Sequence, residues 1–195
     1  MTRLEKQLAF IKEVDKVKEI TRQNYLASGS RREGDAEHQW HLAIMAMILS
    51  EHANEEIDVA HVIEMVLVHD LVEIDAGDTY AYDETAAATK RERELRAADR
   101  IFPILPDDQA AKIRALWEEF EAGETADAKF ANAIDRFQPA FLNASSGGKS
   151  WMEHAVTKSQ VLNRNKRIAE GAEVLWDVEK KMVDEHVRLG HLKDE

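Results

Sequence analysis

The sequence predicts an all-α protein, and three observations carry that reading. Apolar residues recur at three- and four-residue spacing along nearly every segment, no stretch shows convincing β-type alternation, and no internal repeat or low-complexity tract breaks the pattern. In chain order, RLEKQLAFIKEVDKVKEI sets Leu4, Leu8, Ile11, Val14 and Val17 on one amphipathic stripe. AEHQWHLAIMAMILSEHA (36–53) is apolar for most of its length, as a central helix would be. DVAHVIEMVLVHDLVEI (58–74) reads as the next helix, with Asp58 as its N-cap. AGDTYAYDE reads as a loop, and 89–105 as a charged helix that turns apolar and ends around two prolines. DDQAAKIRALWEEFEAG (107–123) opens on acidic residues and closes on glycine, both favourable for a helix. TADAKFANAIDRFQ (125–138) follows and is expected to kink or end at Pro139. Two further helices are expected near 155–169 and 172–189.

The 195 residues suit a single domain, 1–195, with a core large enough to fold without covalent staples. The chain has no cysteine, which excludes disulfides and thiolate metal sites and fits a reducing compartment. Its N-terminus is too charged for a signal peptide and no apolar run reaches membrane-spanning length, so a cytoplasmic protein is expected. With 26 basic against 38 acidic residues, the net charge is −12. That balance disfavours a large nucleic-acid surface or an anionic membrane, and leaves room for a small anionic ligand.

The stretch VLVHDLVEIDAGD (66–78) is apolar enough to be buried, yet carries one histidine, one glutamate and three aspartates. Buried charge needs partners, because stripping it of water costs several kcal/mol or more. Glu73 follows Asp70 by three residues and His69 by four, so one helix face is expected to present all three. His38 lies in an earlier apolar helix and Asp135 in a later one. Two imidazoles and two carboxylates from three helices suit one divalent cation: Mn, Co, Ni, Fe or Zn, with Mg tolerated. A buried ion-pair network of the same residues is the competing account.

EH at 37–38, HD at 69–70 with Glu73 and Gly77-Asp78, and AKFANAIDR ending at Asp135-Arg136 resemble the HD phosphohydrolase superfamily. Within it the resemblance is to the 5′-deoxynucleotidase group, over about residues 20–142, and LPDDQAAKIRALWEEFEAGETADAKF strengthens it. Residues 143–195 stand apart as a C-terminal helical extension. The resemblance implies that His38, His69, Asp70 and Asp135 bind the metal and that Glu73 is the general acid/base. It implies further that Asp78 helps hold the water or leaving group and that Arg22 grips phosphate, with Tyr25 beside it stacking on a base. The implied reaction is hydrolysis of a deoxyribonucleoside 5′-monophosphate to deoxynucleoside and phosphate, by an enzyme whose relatives commonly form homodimers. Two alternatives stand beside it: an HD phosphohydrolase acting on another nucleotide or phosphate ester, and a metal-stabilised binding or regulatory protein without turnover. Intact Glu73 and Asp78 favour turnover.

The remaining polar residues have plainer expectations. His41 is expected to pack against Trp40, His52 and His61 to be solvated, Glu94 and Asp127 to be surface charge, and Asp75 to face a loop. SSGGKS (145–150) lacks the first glycine of a phosphate loop, so it reads as a connector. His154, Lys158 and Arg164 are expected to decorate a peripheral helix.

Overall fold

The computed structural model describes residues 1–77 and 84–195, with side chains from residue 89 onward in the second stretch. Helix α1 (Arg3–Val14) is started by Thr2, whose hydroxyl accepts from the Glu5 amide while the Glu5 carboxylate accepts from Thr2. After a 3-10 turn, a small antiparallel hairpin forms from β1 (Thr21–Tyr25) and β2 (Arg32–Gly34), with Thr21 opposite Gly34 and Tyr25 opposite Arg32. These strands gave no apolar alternation to read, because the residues they turn inward include Asn24 and Glu33, which are polar and buried.

Helix α2 (Asp35–Leu49) leads to α3 (Val59–Val68), which starts on the Asp58 carboxylate as expected: it accepts from the amides of Ala60 and His61. The helix expected over 58–74 is two pieces. Helix α3 stops at Val68, residues 69–72 turn, and α4 (Glu73–Ala76) begins afresh. His69, Asp70 and Glu73 therefore do not share one face of a continuous helix; a turn brings them together.

Helix α5 (Glu84–Ile101) ends in a 3-10 turn at Pro103, and α6 (Asp107–Ala122) closes on Gly123 at φ +61°. Helix α7 (Ala126–Ser145), capped by Thr125, continues past Pro139 and so does not end there. Proline removes the hydrogen bond to the carbonyl four residues back. Phe137, Gln138, Ala140, Leu142 and Asn143 are buried on both sides of it, and that packing holds the helix together. The C-terminal part comprises α8 (Lys149–Glu153), α9 (Lys158–Asn165), α10 (Ile168–Gly171) and α11 (Glu173–Arg188), so the helix expected near 155–169 is also divided.

Leu42, Val62, Met65, Ile101, Trp117, Phe130 and Ile134 lie in the main core, and so do Ile168, Ala172 and Leu175 from the C-terminal part. Each such side chain stabilises the fold by about 1.5–3 kcal/mol. The junction is close: a Cβ on Gly171 would sit 2.2 Å from the Lys129 carbonyl oxygen, so α10 meets the α7 backbone directly. A second cluster gathers Ala140, Trp151, Val156, Val161, Val183 and Leu192. Residues 143–195 are thus built into the core. By contrast Leu4, Leu8 and Ile11 of the α1 stripe remain more than half exposed, and only Val17 of the five is buried. Among the described residues no helix is long and apolar enough to cross a membrane.

Candidate metal centre

Two helices and one turn bring the sequence-predicted ligands together. His38, one turn into α2, is fully buried, and His69 sits just past the end of α3 with 4% exposure. Asp135 comes from the middle of α7. Each of these three offers a donor atom within 4.8 Å of the others. His38 Nε2 lies 3.1 Å from Asp135 Oδ1 and 3.9 Å from Asp70 Oδ2; His69 Nε2 lies 3.0 Å from Asp70 Oδ2 and 3.5 Å from Asp135 Oδ1.

The hydrogen-bond partners of the two rings indicate which nitrogens can ligate. His69 Nδ1 is 2.9 Å from the Val66 carbonyl, an acceptor, so Nδ1 carries a hydrogen. Its Nε2 is buried against the Asp70 and Asp135 oxygens, with no hydrogen-bond partner among the described residues. A bare imidazole nitrogen among carboxylate oxygens fits a cation ligand. His38 repeats the pattern through Nδ1, 3.1 Å from Gln138 Oε1.

The charges are tightly coupled. Burial pushes the Asp70 carboxyl up, but the neighbouring His69, with Arg22 and His38, outweighs it and holds Asp70 far below the usual carboxylate range. Asp135 is likewise held low, its burial outweighed by His38 and His69. His69 is pushed down by burial, then raised further by Asp70 and Asp135, so its pKa ends well above the ordinary value.

A second acidic group adjoins the first. Asp35, Asp70 and Glu73 also offer oxygens within 4.8 Å of one another. Arg22 crosses this group, with NH1 2.7 Å from Asp35 Oδ1 and 2.8 Å from Asp70 Oδ2. Asp35 is fully buried, and burial together with the Asp70 charge raises its pKa to about 7 despite Arg22. Arg22 and Glu73 thus adjoin Asp70, whereas Asp78 lies outside the described residues.

Other expectations change. Glu94 is buried, not surface charge: it accepts Lys90 Nζ at 3.2 Å. Burial lowers the Lys90 pKa, but Glu94, Asp70 and Glu73 together raise it, which keeps a cation beside the acidic group. Asp127 bonds the Asp58 amide at 2.9 Å and so ties α7 to the start of α3. Asp75 also has a role: with Glu13 it holds Arg100, which locks α4 and α1 to α5. Tyr25 is not open to a base, since Lys149 and Arg32 lie over its ring and its hydroxyl donates to Glu153 at 2.8 Å. His41 stacks on Trp40 as expected, and Lys158 pairs with Asp184. His61 is only one-third exposed and bonds Glu119 at 2.8 Å. Sequence reasoning missed Asp35, Lys90 and Gln138. The one available signal was that Asp35 precedes His38 by three residues, less than a helical turn away.

Known proteins resemble this chain in sequence and in fold. The sequence model of the HD-domain family matches residues 14–176. The human protein 5′-deoxynucleotidase HDDC2 is 29% identical over 130 residues, 66% of this chain; its Xenopus laevis counterpart is 30% identical over 130 residues. The match spans 62% of the human protein's length, less than two thirds. A crystal structure from Magnetospirillum magnetotacticum MS-1, called a predicted metal-dependent phosphohydrolase, is 50% identical. It superposes with a TM-score of 0.92 over 97% of this chain and 95% of its own. A conserved hypothetical protein from Pyrococcus furiosus shares the fold, with a TM-score of 0.62 at 20% identity. Two histidines and two aspartates converging in an all-α core, and a family match across most of the length, lead to one conclusion: the chain belongs to the HD-domain family.

Proposed function

We propose that this chain is a metal-dependent phosphohydrolase that hydrolyses deoxyribonucleoside 5′-monophosphates to deoxynucleoside and inorganic phosphate. The observation that carries the reading is the convergence of His38, His69 and Asp135 donor atoms within 4.8 Å, beside Asp70 and the acidic group crossed by Arg22. His38, His69, Asp70 and Asp135 would hold one divalent cation, with Mn, Co, Ni, Fe, Zn and Mg all compatible with the donors. When bound, such a cation polarises a phosphoryl oxygen and brings the pKa of water toward neutrality.

The chain's own groups do the rest. Glu73, 4% exposed beside Asp70, takes the proton from the attacking water and returns it to the departing 5′ oxygen, with Asp78 assisting. Arg22 exchanges part of its contact with Asp35 and Asp70 for the phosphate, and Lys90 adds a second positive charge. The deoxynucleotide class is supported by the relatives at 29–30% identity.

A panel of deoxy- and ribonucleoside monophosphates with Mn, Co or Mg, read by phosphate release, tests this. Release from deoxynucleotides is expected; no release from any member, with metal bound, defeats the proposal. Glu73→Gln is expected to keep metal binding and lose turnover, and full turnover would remove Glu73 from its role.

We infer also that the chain acts in the cytoplasm as one domain, 1–195, and as a homodimer. Exposed Trp40, Ile44, Met47 and Ile48 on α2 support the homodimer, because burying that stripe would remove much apolar surface from water. Molar mass in solution by light scattering checks it.

A further inference from the structure

Behind His38 a buried polar chain runs from α7 to the β-hairpin. Gln138 on α7 is fully buried, Glu33 on β2 is 2% exposed and Asn24 on β1 is 7% exposed. Gln138 Oε1 faces His38 Nδ1 at 3.1 Å. Gln138 Nε2 lies 2.6 Å from Glu33 Oε1 and 3.1 Å from His41 Nδ1. Asn24 Nδ2 donates to the other Glu33 oxygen at 2.7 Å.

An amide has an accepting end and a donating end, and these contacts decide which is which. Carboxylate oxygens accept, so the NH2 of Gln138 must face Glu33, and its second hydrogen goes to His41. Turning the amide over would press two oxygens together at 2.6 Å. The oxygen end is therefore fixed against His38 Nδ1, which must carry the hydrogen. Nε2 is left bare, 3.1 Å from Asp135 Oδ1. Neutral imidazole in water favours the opposite tautomer, with its proton on Nε2, which would block ligation at that nitrogen.

We propose that Glu33 and Gln138 form a carboxylate–amide relay that sets the tautomer of His38 and so prepares its Nε2 to bind the divalent cation. Both are positioning residues, and the proposal rests on reading His38 as a ligand. A carboxylate bonded directly to a ligating histidine orients the ring and raises its basicity. Here the carboxylate acts at one remove, through an amide, from a β-hairpin across to α7. The relay also gives the small sheet a purpose, since it is what carries Asn24 and Glu33 to this point.

The test uses the full chain stripped of metal and titrated with Mn(II) against a chelating dye, with circular dichroism to verify folding. Glu33→Gln changes no volume but lets the facing amides adopt either polarity. Gln138→Leu removes the relay. Each is expected to weaken Mn(II) binding about 10- to 100-fold, the range for outer partners of metal ligands. The exchange Glu33→Gln with Gln138→Glu keeps an acceptor against His38 Nδ1 and a donor behind it, and is expected to recover most of the affinity. Long-range proton–nitrogen spectra of histidine-labelled wild type with Zn(II) should show the His38 hydrogen on Nδ1, without reference to turnover. Wild-type affinity in both single variants overturns the relay, and so does a His38 hydrogen on Nε2 or an exchange variant no tighter than the single ones. An inactive wild type that binds Mn(II) normally and loses it in Glu33→Gln would defeat the nucleotidase reading and leave the relay standing.

Discussion

Two buried polar constellations in this molecule differ in one respect. Around His38, His69, Asp70 and Asp135, imidazole nitrogens and carboxylate oxygens from several elements converge, 3.0–3.9 Å apart. Between α9 and α11, Glu179 is fully buried and, among the described residues, has a single hydrogen-bond partner, the Asn165 amide at 2.6 Å. Its other oxygen, and the Asn165 carbonyl oxygen, are buried without a hydrogen-bond partner. Burial therefore dominates, and the Glu179 pKa rises to about 8 although Asn165 and Arg164 oppose it. Burial of an acid does not by itself make a site. Convergence of donors from several elements does, and the lone acid simply takes up a proton.

The comparison breaks most visibly if Asp135 is replaced. Asp135→Asn is expected to abolish turnover and to remove the Mn(II)-induced rise in melting temperature. In wild type, a cation at a hundred times its Kd would stabilise by about 2.7 kcal/mol. An undiminished thermal shift in the variant would remove Asp135 from the ligand set.

Glu179→Gln is the next largest effect and has the opposite sign. The folded-state pKa lies above the ordinary 4.5, so the neutral acid fits the core at low pH. As pH rises from about 4.5 toward about 8, the folded state must either hold a proton the solvent no longer favours or ionise in the core. Wild type therefore loses stability over that window, on the order of 3 kcal/mol by pH 7. The variant should match wild type near pH 4 and exceed it at pH 7 in urea melts; a constant difference across pH would show that Glu179 does not titrate as described. The smallest effect belongs to an ion pair in partial contact with water. Arg100→Ala, which frees Asp75 and Glu13, should cost roughly 0.5 kcal/mol and shrink with added salt.

The four proposed ligands were legible in the sequence because histidine and aspartate in apolar helices are conspicuous and their order along the chain is distinctive. The relay was not legible. Asn24 and Glu33 lie in a polar stretch that resembles a loop, and Gln138 precedes a proline, a residue expected to kink or end its helix. Their burial depends on the hairpin crossing α7, a long-range event with no local periodicity. Glu94 failed for a related reason: a charged helix offers no sign of which of its acids faces inward. The C-terminal helices were readable as helices, but the close approach of Gly171 to α7 was not, because a missing side chain leaves no pattern.

The early stop of α3 separates the two histidines in a further way. The Val66 carbonyl belongs to the last turn of that helix and takes the hydrogen of the His69 ring. The backbone thus dictates the form of one imidazole, and no exchange of a neighbouring side chain would remove that carbonyl. The form of the other is dictated by Gln138 and Glu33, which single substitutions can rewrite. The centre therefore has one hard-wired arm and one adjustable arm, and an engineer wishing to retune metal preference has an obvious place to begin.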